Sequence, residues 1–314
     1  MKIVFFGSSD FSLPALKFCQ NPPRKLLAVV TTPDRPKGRG LHLQANPVKD
    51  YCEQSEILTY APLTLKDAEV HGKIDSLKPD FFVVASYGKL IPSSWLAIPK
   101  AAAWNIHPSL LPKYGGAAPI PWQIIHHEKE TGVTIALVTK ELDAGDIIRQ
   151  VRIPLESTET TESLTRRLAE LSRRILEEAF TQWKEGGLAL TPQKESESSY
   201  ARKLAKEDGH LDLKEEAALL ERKIRAFHPW PGSFIGYQKE PLRIVDATLD
   251  SIACTEAAPG TLLEVHGADY LRIQTGRGSL KILKVQLPGR RIVSGSEFAN
   301  GQRLKPGFIF ENLK

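Results

Sequence analysis

The chain has 314 residues, 41% of them hydrophobic and 25% charged, with a formal net charge of +5. That length suits two domains and that composition a globular protein. No run approaches the roughly 20 apolar residues of a membrane-spanning helix, and the dispersed cysteines Cys19, Cys52 and Cys254, with no CxxC pair, speak against a zinc site or disulfide framework.

In chain order, Ile3–Phe6 reads as a buried strand, too short for a signal-peptide core, so the protein is expected to stay in the cytoplasm. Ser9 or Asp10 can cap a helix carrying Phe11, Ala15, Leu16, Phe18 and Cys19 on its apolar side. Leu26–Val30 is a second strand. Asn46-Pro47, a cap followed by proline at the first helical position, predicts a helix to about Gln54. Ile57–Tyr60, Phe81–Val84, Trp104–Ile106 and Val133–Val138 read as further strands, and residues 159–185 as a long helix ended by Gly186-Gly187. This alternation predicts an α/β domain with a mostly parallel sheet, whose ligands bind beyond the carboxyl ends of the strands. The stretch around Pro192 and Ser196-Glu197-Ser198-Ser199 is irregular and reads as a linker. After a helix over Glu215–Phe227, the short strands Leu242–Val245, Thr261–Val265, Tyr270–Thr275, Leu280–Val285 and Gly307–Phe310 predict a small β-barrel. The expected division is a catalytic domain over 1–188, a linker over 189–206 and a barrel domain over 207–314.

The first turn, Gly7-Ser8-Ser9-Asp10, lacks the glycines of a dinucleotide fingerprint, and no P-loop occurs. His126-His127-Glu128 does not converge on one ion from a helix, so no metal is expected. Alternation along the strand places Asn105 and His107 on one face, just before the proline-bounded loop Pro108–Pro112. Glu141-Leu142-Asp143-Ala144-Gly145-Asp146 offers a carboxylate on a glycine-containing loop. Acyl transfer to an amine needs an oxyanion donor, which an amide such as Asn105 supplies, and a proton carrier, which a histidine such as His107 supplies. A carboxylate such as Asp143 can orient the imidazole. On these residues alone the reading stays open, because Asn-x-His is short and a histidine at a strand end is more often a hydrogen-bonded structural group.

From residue 270 onward, Arg272, Arg277, Lys281, Lys284, Arg290, Arg291, Arg303, Lys305 and Lys314 are opposed by Glu297 and Glu311 alone. Such an excess is either a solvated surface or a footprint for a phosphate backbone.

Asn105-Ile106-His107-Pro108-Ser109-Leu110-Leu111-Pro112 resembles the signature of the folate-dependent formyltransferases. The likeness extends through Tyr114-Gly115-Gly116-Ala117-Ala118-Pro119-Ile120, Thr131-Gly132-Val133-Thr134 and Leu142-Asp143-Ala144-Gly145-Asp146. It implies a Rossmann-like catalytic domain with a triad of Asn105, His107 and Asp143, and 10-formyltetrahydrofolate as formyl donor. It also implies folate contacts at Ser109, Leu110, Leu111 and Pro112, and a pterin pocket at Tyr87, Gly88 and Leu90. Thr32–Gly40, Tyr200–Leu204, Arg225–Gly232, Leu287–Arg291 and Phe298–Gly301 resemble segments of those members that formylate methionine carried on initiator tRNA. The expected partner is therefore initiator methionyl-tRNA, bound by a monomer through Arg35, Lys37, Arg39, Arg290 and Arg291, with an OB-like barrel as second domain. The chain departs from the family pattern at Ser8-Ser9, Pro108 and Gly115, where the family often has arginine in place of Gly115; these positions bear on substrate contacts and not on the triad. A formyltransferase with a small acceptor, and an RNA-binding module on an inactive α/β domain, are the competing expectations.

Overall fold

The computed structural model describes residues 1–37, 42–250 and 256–313. They fall into two compact units: Met1–Pro119 with Lys129–Pro154 and Ser163–Arg202, and Ile120–Glu128 with Leu155–Glu162 and Lys203–Lys314.

The first unit is built on a seven-stranded sheet. Its elements are β1 (Lys2–Gly7), α1 (Leu13–Gln20), β2 (Lys25–Val30), α2 (Pro47–Gln54), β3 (Thr59–Tyr60), α3 (Ala68–Ser76), β4 (Phe81–Ala85), β5 (Ala102–His107), β6 (Glu130–Leu137), β7 (Ile147–Pro154) and the long helix α4 (Thr161–Lys184). The strand order is β7-β6-β5-β4-β1-β2-β3. The five strands β1 to β5 run parallel, and β6 and β7 add antiparallel at one edge. Ile3 to Phe6 on β1 and Phe81 to Val83 on β4 are buried with no exposed surface. A parallel sheet covered on both faces demands such unbroken apolar runs. The chain leaves β1 toward β2 and returns to β4 on its other side, so the crevice opens at the carboxyl ends of β1 and β4. Hydroxyls join those ends: Ser8 Oγ donates to the Ser86 carbonyl at 2.8 Å and Ser12 Oγ to that of Ala85 at 2.6 Å.

Neither Ser9 nor Asp10 caps α1: Ser9 precedes a single 3-10 turn, Asp10–Ser12, without a side-chain cap bond, and the helix starts at Leu13 behind Ser12. The other expected cap is present. Asn46 Oδ1 accepts from the N–H groups of Val48 and Lys49 at 3.1 Å each, opening α2 behind Pro47. Asp67 does the same for α3. Helix α4 buries Leu164, Leu168, Leu171, Ile175, Leu176, Ala179 and Phe180, a stripe at helical spacing. Cys19 and Cys52 are buried free thiols, and desolvation pushes Cys19 up to about 12; Cys254 lies outside the described residues.

In the second unit, α5 (Ala217–Ala226) precedes an antiparallel sheet of β8 (Ser233–Tyr237), β9 (Glu240–Leu249), β10 (Leu262–His266), β11 (Tyr270–Gln274) and β12 (Ser279–Gln286), in the order β8-β9-β12-β11-β10. Leu220 and Ile224 pack with Ile235, Leu242, Ile244, Leu271 and Ile282 into one core.

Two strand expectations are corrected, and two strands were not expected. Gly307–Phe310 forms no strand; that region makes single bridges from Ile309 to Thr261 and from Glu311 to Gly236, linking the two edges of the sheet. Ile57–Tyr60 is extended only at Thr59–Tyr60. Strands β7 and β8 had no expectation at all. In β7 the charged and amide residues Arg149, Gln150 and Arg152 interrupt the apolar run, as an edge strand permits.

Candidate active site

Strand β5 buries Trp104 and Ile106 on one side and brings Asn105 and His107 to the other. The side behind the site is an aromatic cluster. Trp104 stacks on Phe180 with centroids 4.8 Å apart, and the Phe81 ring meets Trp104 edge-on at 4.9 Å.

Asp143 arrives from the turn after β6. Its Oδ1 accepts from Asn105 Nδ2 at 2.9 Å and its Oδ2 from the Gly116 N–H at 2.8 Å. The same Oδ2 lies 3.6 Å from His107 Nδ1, with both side chains 6% exposed. His107 Nε2 is 2.8 Å from the Tyr114 carbonyl. A carbonyl can only accept, so Nε2 carries the proton and Nδ1 is left facing the carboxylate. One hydrogen of the Asn105 amide is spent on Asp143; the second remains for a ligand. The structure therefore brings together the three residues expected as a triad, and adds Tyr114 and Gly116 as their backbone supports.

Glycine is required at two places here. Gly116 has φ of 116°, and a Cβ there would come within 2.5 Å of the Tyr200 ring and 2.7 Å of the Ala201 carbonyl. A Cβ on Gly145 would lie 1.9 Å from the Leu137 carbonyl oxygen. Gly145→Ala must therefore shift the turn that carries Asp143, and turnover is expected to fall about 100-fold, as a displacement of about 1 Å does elsewhere. Steady-state kinetics on the purified variant checks this, and unchanged turnover would show that the turn tolerates the shift. Gly115 is different: a Cβ there meets Asp143 Cβ at 3.6 Å, ordinary contact. The departure at Gly115 thus removes a side chain that the backbone could carry.

The loop expected to contact folate is held from within. Ser109 is fully buried, and its hydroxyl donates to the Lys113 carbonyl at 2.7 Å. Thr134 Oγ1 donates to the Ser109 carbonyl at 2.7 Å and accepts from the Leu111 N–H at 3.2 Å. Gln150 Nε2 reaches the Leu111 carbonyl at 2.9 Å. Leu111 is buried, while Leu110 and Pro112 are half-exposed. Tyr87 is a core residue, with its ring edge-on to Phe6 at 5.4 Å. Its hydroxyl is buried without a hydrogen-bond partner, and burial pushes the phenol up. Gly88, with φ of 79°, opens onto free space, and Leu90 is 64% exposed.

The residues expected to meet RNA are divided between the two units. Arg35–Lys37 pairs antiparallel with His42–Gln44, and Arg39 lies outside the described residues. Arg290 and Arg291 are exposed on the second unit beside a surface cavity of about 640 Å³ lined also by Val293, Phe298 and Gln302. Arg291 is ion-paired with Glu297. Among the described residues no cluster of three or more His, Cys, Asp or Glu side chains could hold a metal, and no helix is long and apolar enough to cross a membrane.

The sequence model described as formyl transferase matches residues 1–180, and that of the formyl transferase C-terminal domain matches residues 203–303. A methionyl-tRNA formyltransferase of Marinobacter nauticus is 39% identical over 98% of this chain and 99% of its own length. One from Caldanaerobacter subterraneus subsp. tengcongensis is 37% identical over 99% and 100%. Among solved structures, an N-formyltransferase from Helicobacter canadensis in complex with folinic acid and dTDP-3-aminofucose superposes with a TM-score of 0.68 at 19% identity, over 90% of this chain and 99% of that one. A sugar 3N-formyl transferase, WlaRD, superposes at 0.66 and 18% identity over 93% and 99%. The two superpositions establish the fold, while the family match and the full-length identity establish kinship: the chain belongs to the formyl transferase family, among the methionyl-tRNA formyltransferases.

Proposed function

We propose that the chain transfers the formyl group of 10-formyltetrahydrofolate to the α-amine of methionine on initiator methionyl-tRNA. The observation that carries the chemistry is the convergence of Asn105, His107 and Asp143, with the Asn105 amide held by Asp143 Oδ1 and one amide hydrogen unspent. The amine attacks the formyl carbon, a C–N bond forms, and the bond from that carbon to N10 of the folate breaks. Charge that develops on the formyl oxygen meets the free Asn105 N–H, which is preorganised and costs little reorganisation. The attacking amine must lose a proton and the departing nitrogen must gain one. His107 Nδ1, the ring nitrogen not bound to Tyr114, is the atom placed to take and return it, and Asp143 Oδ2 steadies the imidazolium. The products are formylmethionyl-tRNA and tetrahydrofolate.

The half-exposed Leu110 and Pro112, exposed Leu90 and open Gly88 are the surfaces we assign to the folate, together with Ser109, Leu111 and Tyr87 as their supports. On this reading residues 1–188 supply the groups that touch the formyl donor, and residues 207–314, with Arg35, Lys37 and Arg39, bind tRNA, in a cytoplasmic monomer. Incubation of the protein with 10-formyltetrahydrofolate and methionyl-tRNA should yield formylmethionine; tRNA binding without product would leave an RNA-binding module.

Arg35, Lys37, Arg39, Arg290 and Arg291 are assigned to phosphate contacts. For Arg290→Ala/Arg291→Ala the slope of log affinity against log salt should fall by about 1 for each phosphate that is no longer neutralised. Fluorescence anisotropy of labelled tRNA across a salt series measures it, and an unchanged slope removes both arginines from the interface.

A further inference from the structure

The segment after α4, expected from its composition to be a linker, runs along both loops of the active site. Thr191 and Ile147 exchange backbone hydrogen bonds at 2.8 and 2.9 Å. The Ser199 N–H donates to the Pro112 carbonyl at 3.2 Å, and the Ser199 carbonyl accepts from the Gly115 N–H at 2.9 Å. Ser199 Oγ accepts from the Tyr114 N–H at 2.9 Å. Tyr200 and Ala201 then pair parallel with Gly115 and Gly116. This is the loop whose Tyr114 carbonyl holds His107 and whose Gly116 N–H holds Asp143.

Between those anchors stands Gln193. Its Nε2 donates to the carbonyl of Asp143 and to that of Gly145, each at 2.7 Å. Two hydrogens of one amide thus satisfy two carbonyls of one turn. The turn needs such a hold. Asp143 has φ of 52°, a left-handed backbone that a non-glycine residue keeps only where its surroundings impose it.

We infer that Gln193 is a positioning residue for formyl transfer: its amide pins the Asp143–Gly145 turn and so aims the Asp143 carboxylate at Asn105 and His107. The inference rests on the activity proposed above. Gln193 reaches no reacting atom, so its effect passes through the direction of the carboxylate. Leucine at this position fills similar space without a donor, glutamate faces the two carbonyls with acceptors only, and lysine restores a donor on a chain of similar reach.

The test uses the full chain carrying Gln193→Leu, Gln193→Glu or Gln193→Lys, with kcat and both KM values measured for 10-formyltetrahydrofolate and methionyl-tRNA. Gln193→Leu and Gln193→Glu should lower kcat about 10- to 100-fold, as a misplaced catalytic group does, with little change in either KM. Gln193→Lys should recover part of the loss. In an Asp143→Ala background, Gln193→Leu should cost less than about a further twofold, because the group it aims is gone. Equal loss in both backgrounds would overturn the assignment, since a fold-wide effect is additive. Amide hydrogen exchange supplies a readout that needs no turnover: residues 144–147 should exchange faster in Gln193→Leu while residues 81–85 do not change. Unchanged exchange at 144–147 overturns the clamp even if the wild-type chain formylates, whereas failure of the wild-type chain to formylate overturns the proposed function and leaves the exchange result to judge the clamp.

Discussion

Asn105→Ala is expected to lower the turnover of methionyl-tRNA formylation by about 100- to 1,000-fold, the loss of one preorganised oxyanion donor, and His107→Ala and Asp143→Ala, which remove the proton carrier and the carboxylate that steadies it, by about 100- to 10,000-fold. The three losses are not independent. Asp143 Oδ1 orients the Asn105 amide, and Asp143 Oδ2 faces His107, so removing Asp143 disturbs both neighbours. The double variant Asn105→Ala/Asp143→Ala is therefore expected to lose much less than the product of the single losses. Single-turnover kinetics with saturating substrates measures these effects, and near-normal rates for all three single variants would sink the mechanism. His107→Ala carries a second consequence. It leaves the Tyr114 carbonyl without the ring N–H it now accepts, 2.8 Å away, and leaves space beside Asp143. Asn105→Ala leaves that pair in place, so comparing the two variants separates oxyanion support from proton transfer.

Trp104→Ala is expected to destabilise the first unit by about 3 to 5 kcal/mol, the range for a large aromatic removed from a close-packed core. Trp104 is 1% exposed and packs against Phe81 and Phe180, with centroids at 4.9 and 4.8 Å. No neighbour can close a hole of that size without moving β5 or α4. Urea unfolding followed by circular dichroism gives the shift, and a loss under about 1 kcal/mol would mean that the cluster collapses around the gap. Because Trp104 adjoins Asn105 on the same strand, activity falls with stability, whereas the triad variants lose rate with the fold intact. That contrast distinguishes scaffold from chemistry on neighbouring residues.

Much of the first unit was legible in short stretches of the chain. The apolar run Ile3–Phe6, the cap and proline at Asn46-Pro47 and the glycine pair after α4 each act within a few residues, and each element lies where they place it. The C-terminal closure was misread for a converse reason. Gly307–Phe310 looks like a strand by composition, but its backbone meets two different edges by single bridges, and local pattern cannot show how many partners a segment finds. Gln193 was passed over because it sits among polar, irregular residues; nothing within several positions marks it, and its two acceptors lie 50 and 48 residues earlier.

The order of residues was enough for the class of the sheet, for the face of β5 that carries Asn105 and His107 and, through its likeness to a known family, for the chemistry to expect there. Alternation along a strand and capping of a helix are short-range effects, set by the geometry of neighbouring residues. The aim of the carboxylate came from tertiary packing. Asp143 is 38 residues from Asn105, and their 2.9 Å contact exists because β5 and β6 pair in one register. Packing also tied the segment read as a linker to both loops of the candidate active site, since a hydrogen bond depends on distance in space and separation along the chain does not report it.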